Sequence, residues 1–451
     1  MKDALQTLRS YPIGHVLRRL PLALLPALAA CSSSDTTEPA DPSPATATYR
    51  AGVAVSWLNL EMKLARTTPV NTTNALGRPF AYAGVAGYEA VMPGMAGYRS
   101  LAGQLNGLSA LPSPDKTKQY SWPLSANAAL AAISRAMFAT TSAANLATVD
   151  SLENANRTAL QAGLDADAVA RSIDFGKKVA GAVFDWSKSD GYDNPATYTA
   201  PTGTGAWVPT PPAFGAPAFP FWGSNRPLVA GSGANADPGP PVAFSQADGS
   251  PFDLMAKEVM NQATSRTTDQ TAIALFWNDA PNGRSFTPHG HWISILAQVL
   301  TRENSTLDKA ALAFAKLGIA MNDATISCFK TKYTYNLMRP VSYIRQLPGQ
   351  ASWSPLITTP GHPEYSAGHA TVSSAAAEAL TEVFGSPYAF TDQNQAQFGL
   401  GTRSYASFED AAAEAGLSRL YGGIHYRPSI EKGLVQGKRV AQNINAKLGF
   451  K

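Results

Sequence analysis

The 451 residues are enough for one large or two medium domains around a substantial core. The formal charge of +4 falls to about +1 once residues 1–30, with Lys2, Asp3, Arg9, Arg18 and Arg19, are set aside, which excludes a basic footprint for nucleic acid. Only Cys31 and Cys328 are present, so without an internal disulfide the stability must come from packing.

Residues 1–19 are basic, Leu20 to Ala30 is apolar, and the run ends in small residues before Cys31, the pattern of a secretory signal. Eleven apolar residues are too few to span a bilayer. Leu28-Ala29-Ala30-Cys31 resembles a bacterial lipobox, which implies removal of residues 1–30 and a lipid anchor at Cys31 on the periplasmic face of the envelope. Residues 31–48, rich in Ser, Thr, Pro, Asp and Ala, read as a flexible tether. From Tyr49 to about Ser189 apolar residues recur at three- and four-residue intervals, as in Trp122 to Met137 and Ala168 to Trp186, and predict helices. Between Gly191 and Pro251 Pro and Gly interrupt every regular element, while the Trp and Phe residues there predict a loop packed down on the rest. Helices are predicted again over 252–264, 269–277, 291–302, 306–328, 369–384, 408–421 and 430–448. The fold class is therefore all-α helical bundles with a long Pro/Gly-rich loop: an N-terminal helical region over 49–250 and a C-terminal bundle over 251–451.

Two donor-rich segments stand out in the C-terminal region. The first is Lys332-Tyr-Thr-Tyr-Asn-Leu-Met-Arg339-Pro340; the second is Ser418-Arg419-Leu-Tyr-Gly-Gly-Ile-His425; neither carries an acid. Seven residues apart, Lys332 and Arg339 would share one face of a helix, and a single anion could lie between their tips. Arg419 and His425 would lie on different faces of a continuous helix, but Gly422-Gly423 permits a break that turns the His back. Between them, Gly368-His369 opens an Ala-rich run, so a Gly368 N–H can point at an anion from a helix N-terminus. All five histidines beyond residue 30 fall between His289 and His425. Nearby cations should disfavour the imidazolium of His369 and help a neutral base to exist near neutral pH. Cys328 reads as a buried small hydrophobe.

These three blocks, in this order, resemble the vanadium-dependent haloperoxidases, which share their pocket with the type 2 phosphatidic acid phosphatases. Phe276-Trp277-Asn278-Asp279 with Gly290-His291-Trp292, and the stretches 205–212 and 220–227, are similar to bacterial members. The resemblance covers roughly residues 205–445 and implies two packed helical bundles with the site in the second. It implies that vanadate, or phosphate in its place, is held by His425 as the single metal ligand and by Lys332, Arg339, Arg419 and the Gly368 N–H, with His369 as acid–base residue. Hydrogen peroxide and a halide would be the substrates, with a small organic acceptor as a further partner. The middle block departs from the pattern: Ser366-Ala367 stands where Pro-Ser is usual, and the lost hydrogen bond to a charged group is worth about 1.5–3 kcal/mol unless Ser366 or a water substitutes. Where fungal chloroperoxidases resemble one another in a Phe and algal bromoperoxidases in a His, this chain has His362, with Phe329 as the aromatic before Lys332; this implies bromide or iodide rather than chloride. Asp279 and Asp323 are candidates for orienting Arg419 or a histidine, and His289 and His291 for structural positions at the pocket rim rather than metal ligands. The same spacings admit two rivals: an acid phosphatase working through a phosphohistidine at His425, and a non-catalytic oxyanion-binding lipoprotein.

Overall fold

The computed structural model describes residues 42–70, 76–279 and 286–451; the signal-type segment, Cys31 and the first part of the tether lie outside the described residues. Residues Thr46–Thr48, at the edge of the expected tether, form a 3-10 turn in which Thr46 is buried and its hydroxyl donates to Val91 O. The helices that follow are α1 (Gly52–Thr67), α2 (Arg78–Glu89), α3 (Trp122–Met137), α4 (Ala143–Leu160), α5 (Ala166–Ser187), α6 (Pro251–Ser265), α7 (Thr268–Phe276), α8 (Pro288–Arg302), α9 (Leu307–Tyr335), α10 (Pro340–Ile344), α11 (Gly368–Phe384), α12 (Phe408–Tyr421) and α13 (Arg427–Lys447). Two three-residue strands, β1 (Phe390–Asp392) and β2 (Arg403–Tyr405), pair antiparallel with Phe390 opposite Tyr405. The fold is a helical-bundle fold, as composition and periodicity predict.

Local chemistry sets the helix starts. Ser142, Asp165, Ser250 and Ser407 accept first-turn N–H groups with their side chains, and Thr267 with Gln270 forms a capping box at α7. Proline occupies the first turn of α2, α3, α6, α8, α10 and α13, where its missing N–H costs nothing.

The 29-residue α9 is the axis of the molecule, buried along most of its length. One side packs on α2, at a separation so small that a Cβ on Gly318 would stand 2.7 Å from Phe80 O. Its other side packs on α11 and α13, which lie against each other. A single apolar cluster runs from α1 through α13 and includes Trp57, Trp122 and Trp292, so the two halves of the sequence share one core. A second cluster, built on Phe252, Tyr343, Tyr365 and Tyr426, underlies the turns at one end of the C-terminal helices.

The Pro/Gly-rich stretch has no helix beyond the 3-10 turn Trp222–Ser224, yet Trp207, Trp222, Leu228 and Val229 are buried, in line with a packed-down loop. It is stitched to the end of α9 by an antiparallel bridge between Ala206 and Leu337, with Trp207 N donating to Asn336 O and Met338 N to Gly205 O. The end of α9, the start of α11, the end of α12 and the start of α13 converge beside this seam.

Candidate active site

Lys332 lies one turn before the end of α9, where Asn336 in the left-handed conformation (φ 44°, ψ 42°) stops the helix. Its side chain is fully buried, and Nζ donates to the carbonyls of Pro363, Glu364 and Ser366 at 3.1, 2.9 and 2.5 Å. Arg339 does not continue that helix. It precedes Pro340 at the start of α10, so the shared helical face predicted for Lys332 and Arg339 is replaced by a turn through Asn336 and Leu337. The turn returns the buried Arg339 guanidinium to the pocket, where Nε donates to His362 O at 2.9 Å, Nη1 to Ile424 O at 2.9 Å and His425 Nε2 at 3.1 Å, and Nη2 to His362 Nδ1 at 3.0 Å.

Arg419 comes from the last turn of α12 and donates through Nη1 to Trp277 O; its Nε is buried without a partner among the described residues. Beyond it the helix ends at Tyr421, and Gly423 takes a φ of +82° that a side chain would strain. This is the predicted break, and it delivers His425 next to Arg339 just before α13 starts. Gly368 opens α11 behind Ala367, whose methyl makes no cap hydrogen bond, and the Lys332 stem passes 3.9 Å from where a Gly368 Cβ would be. The start of α11, with its unsatisfied first-turn N–H groups, thus lies beside the buried Lys332 side chain.

The proton positions follow from the donors. Arginine only donates, so His425 Nε2 is an acceptor and the ring proton sits on Nδ1, 2.7 Å from Glu364 Oε1, which also accepts from Tyr426 N at 3.0 Å. Burial, then Arg339, Lys332 and Arg419, hold the His425 ring well below the ordinary 6.5, so it stays neutral. The same logic applies to His362: it accepts from Arg339 at Nδ1, and burial and the Lys332 and Arg339 charges keep it neutral. Its ring lies 5.3 Å from that of Phe329, so the expected halide-pocket pair is in contact. His369 is depressed by burial and by Arg419, and its Nε2 is buried without a hydrogen bond among the described residues, 3.9 Å from Asp279 Oδ2.

These residues fit a tetrahedral oxyanion. Three buried cations, two buried N atoms without partners among the described residues and a helix start surround a neutral imidazole whose Nε2 accepts from Arg339. Three cations facing the two buried acids Glu364 and Asp279 leave an excess of positive charge that an anionic guest would offset.

Other sequence expectations land differently. The Ser366 hydroxyl donates to Gln436 Oε1 at 2.5 Å and is therefore committed elsewhere; it does not replace the hydroxyl missing at Ala367. Asp323 accepts from Leu228 N and Val229 N at 2.8 and 3.0 Å, anchoring the Pro/Gly-rich loop rather than Arg419 or a histidine. Asp279, in contrast, faces both His291 and His369. His289 and His291 are buried rather than at a rim, His289 bonding Thr325 Oγ1 at 2.8 Å and His291 lying between two aspartates. Glu364, the partner of His425, is not among the residues expected from the sequence; its signal there is an acid inside the turn Pro363-Glu364-Tyr365-Ser366.

The model of the VCPO second helical-bundle domain matches residues 312–449, which hold every one of the converging groups. The crystal structure of the first bacterial vanadium-dependent iodoperoxidase superposes with a TM-score of 0.81 at 35% identity, over 89% of this chain and 97% of that one. Holo- and apo-type bacterial vanadium-dependent chloroperoxidases share the fold, with TM-scores of 0.60 and 0.61 at 14% and 15% identity, over 84% of this chain and 93% and 95% of theirs. Among curated proteins there is no match. Identity of 35% sustained across nearly a whole relative goes beyond common architecture, and the chain belongs to the vanadium-dependent haloperoxidase family.

Proposed function

We propose that this chain is a vanadate-dependent haloperoxidase that turns hydrogen peroxide, halide and a proton into hypohalous acid and water, with iodide and bromide preferred over chloride. The observation that carries the reading is the directed neutral imidazole of His425: Glu364 accepts a hydrogen bond from its Nδ1–H, which keeps the proton there and turns the Nε2 lone pair towards the Lys332, Arg339 and Arg419 side. A carboxylate–histidine pair of this kind fixes the tautomer that a metal ligand needs. Vanadate bound there supplies Lewis-acid activation of peroxide. The guanidinium groups of Arg339 and Arg419, the Lys332 ammonium and the Gly368 N–H hold and neutralise its oxygens. His369, kept neutral by its surroundings, accepts the proton that hydrogen peroxide gives up.

The halide preference draws support from the neutral His362 ring against Phe329, a weakly polar wall suited to a large, weakly hydrated anion, and from the iodoperoxidase that is 35% identical. Ala367 leaves one hydrogen bond to the oxyanion unmade, so affinity should be lower by about 1.5–3 kcal/mol than with a hydroxyl there. Export and an anchor at Cys31 would release hypohalous acid outside the cytoplasm.

Protein loaded with orthovanadate should halogenate a phenol-red type dye when given peroxide and iodide or bromide, and more slowly with chloride. Hydrolysis of p-nitrophenyl phosphate with vanadate acting only as inhibitor would replace this reading with the phosphatase. Saturable vanadate binding without halide oxidation would leave an oxyanion-binding protein.

A further inference from the structure

Behind His369, on the Asp279 side of Arg419, lies a second set of buried ionisable groups, of which the reaction as described uses neither His291 nor Asp392. His291, on α8, is wholly buried between two equally buried aspartates. Its Nδ1 lies 3.0 Å from both oxygens of Asp279, in the segment after α7, and its Nε2 lies 2.7 Å from Oδ2 of Asp392, at the end of β1. One face of the ring stacks on Trp277 at 4.2 Å between centroids and 19° between planes. The Trp277 carbonyl in turn accepts from Arg419.

We infer that His291, clamped between the carboxylates of Asp279 and Asp392, is a positioning residue that holds Asp279 against the acid–base ring of His369. The inference rests on the haloperoxidase reading for His369, but the clamp itself does not. A neutral ring carries one N–H and would turn a lone pair on one of the two carboxylates at hydrogen-bond distance; a doubly protonated ring serves both. Burial alone would depress the His291 pKa, yet Asp279 and Asp392 raise it to about 10, in agreement with that count.

The other groups facing the clamp fit the same role. Gln395 Nε2 approaches Asp279 Oδ1 at 3.3 Å, and Asp392 Oδ1 accepts from Asn394 N at 2.8 Å and from Gln298 Nε2 at 3.3 Å. Arg419 on α12 faces Asp279 electrostatically, and His369 on α11 offers it an otherwise unpartnered Nε2 at 3.9 Å. Asp279 is therefore held from the His291 side and open towards His369. A buried ion triad is weak support for stability as such. What this one does is fix the position of the carboxylate that the protonated His369 must find after taking a proton.

The test uses the full chain, labelled with 15N-histidine and loaded with orthovanadate. In the wild type, both ring nitrogens of His291 should show protonated 15N shifts near neutral pH; a single protonated nitrogen overturns the clamp without any variant. Asp392→Asn, which touches neither His369 nor the cations, should lower kcat for iodide oxidation by about tenfold while the iodide KM and the vanadate Kd stay within about twofold, and Asp392→Glu should recover most of kcat. An unchanged kcat, or a kcat loss accompanied by an equal weakening of vanadate binding, overturns the positioning role. Should the wild type oxidise no halide at all, the proposed function fails, and the nitrogen shifts still decide whether His291 is clamped.

Discussion

Glu364 is the residue on which the character of His425 depends. Its Oε1 takes two N–H groups, one from the imidazole and one from Tyr426, so the ring can neither flip nor shuttle its proton to the other nitrogen. Glu364→Gln keeps an acceptor and removes the charge. It is expected to weaken orthovanadate binding by about tenfold or more, read by titration calorimetry, with helix content unchanged. An unaltered Kd would show that the carboxylate plays no part in anion binding. Lys332, Arg339, Gly368, Arg419 and His425 were singled out in the sequence because their three blocks stand in the order and spacing that resemble the haloperoxidase family. Glu364 was hidden because it meets His425 across 61 residues, and an acid in the 363–366 turn does not by itself say which donor it faces. Ser366 misled for the converse reason: adjacency to Ala367 is visible in sequence, whereas the Gln436 that claims its hydroxyl is 70 residues away.

Among the elements, the helices were largely readable because three- and four-residue spacing and capping residues agree. α3 and α12 keep their predicted bounds, and α9 runs beyond Cys328 to Tyr335. The helix expected to carry Lys332 and Arg339 together failed at Asn336, whose left-handed backbone satisfies the spacing by a turn instead. The strands β1 and β2 are too short for alternation to show. The interface of α1 with α3 carries a measurable cost. Glu61 of α1 is buried, with Oε1 accepting from Ser134 Oγ at 3.0 Å and Oε2 unpartnered, and burial pushes its carboxyl up to about 8 from the ordinary 4.5. A raised folded-state value gives stability that is complete below about 4.5 and is lost as pH rises through 8. Glu61→Gln is accordingly expected to stabilise the protein near neutral pH by about 2–3 kcal/mol, and to have little effect near pH 4.5, in denaturant unfolding at the two pH values. Equal changes at both would refute the neutral carboxyl.

For the molecule as a whole, pH acts through buried neutral imidazoles and, in the opposite sense, through the carboxyls of Glu61, Glu89 and Glu364, which burial raises to about 7 to 8. Burial lowers His289 to about 3, and His362, His369 and His425 also lie well below 6.5. Depressed folded-state values contribute stability that is present above 6.5 and lost as pH falls towards them. His291, raised to about 10, keeps its charge throughout that window and does not offset the loss. Scanning calorimetry should therefore show Tm falling gently between about pH 6.5 and 4.5, where Glu61, Glu89 and Glu364 regain stability as the imidazoles lose it, and steeply below about 4.5, and orthovanadate at a hundredfold excess over its Kd should add about 2.7 kcal/mol of stability at neutral pH. A flat Tm over the acid range would contradict the neutral assignment. The bridge between Ala206 and Leu337 carries a last consequence: two main-chain hydrogen bonds from a segment without regular structure keep the short link from Lys332 to Arg339 in place. Cleaving the exposed stretch 201–204 by limited proteolysis should loosen this staple, so that oxyanion affinity declines while the far-ultraviolet circular dichroism of the helices persists.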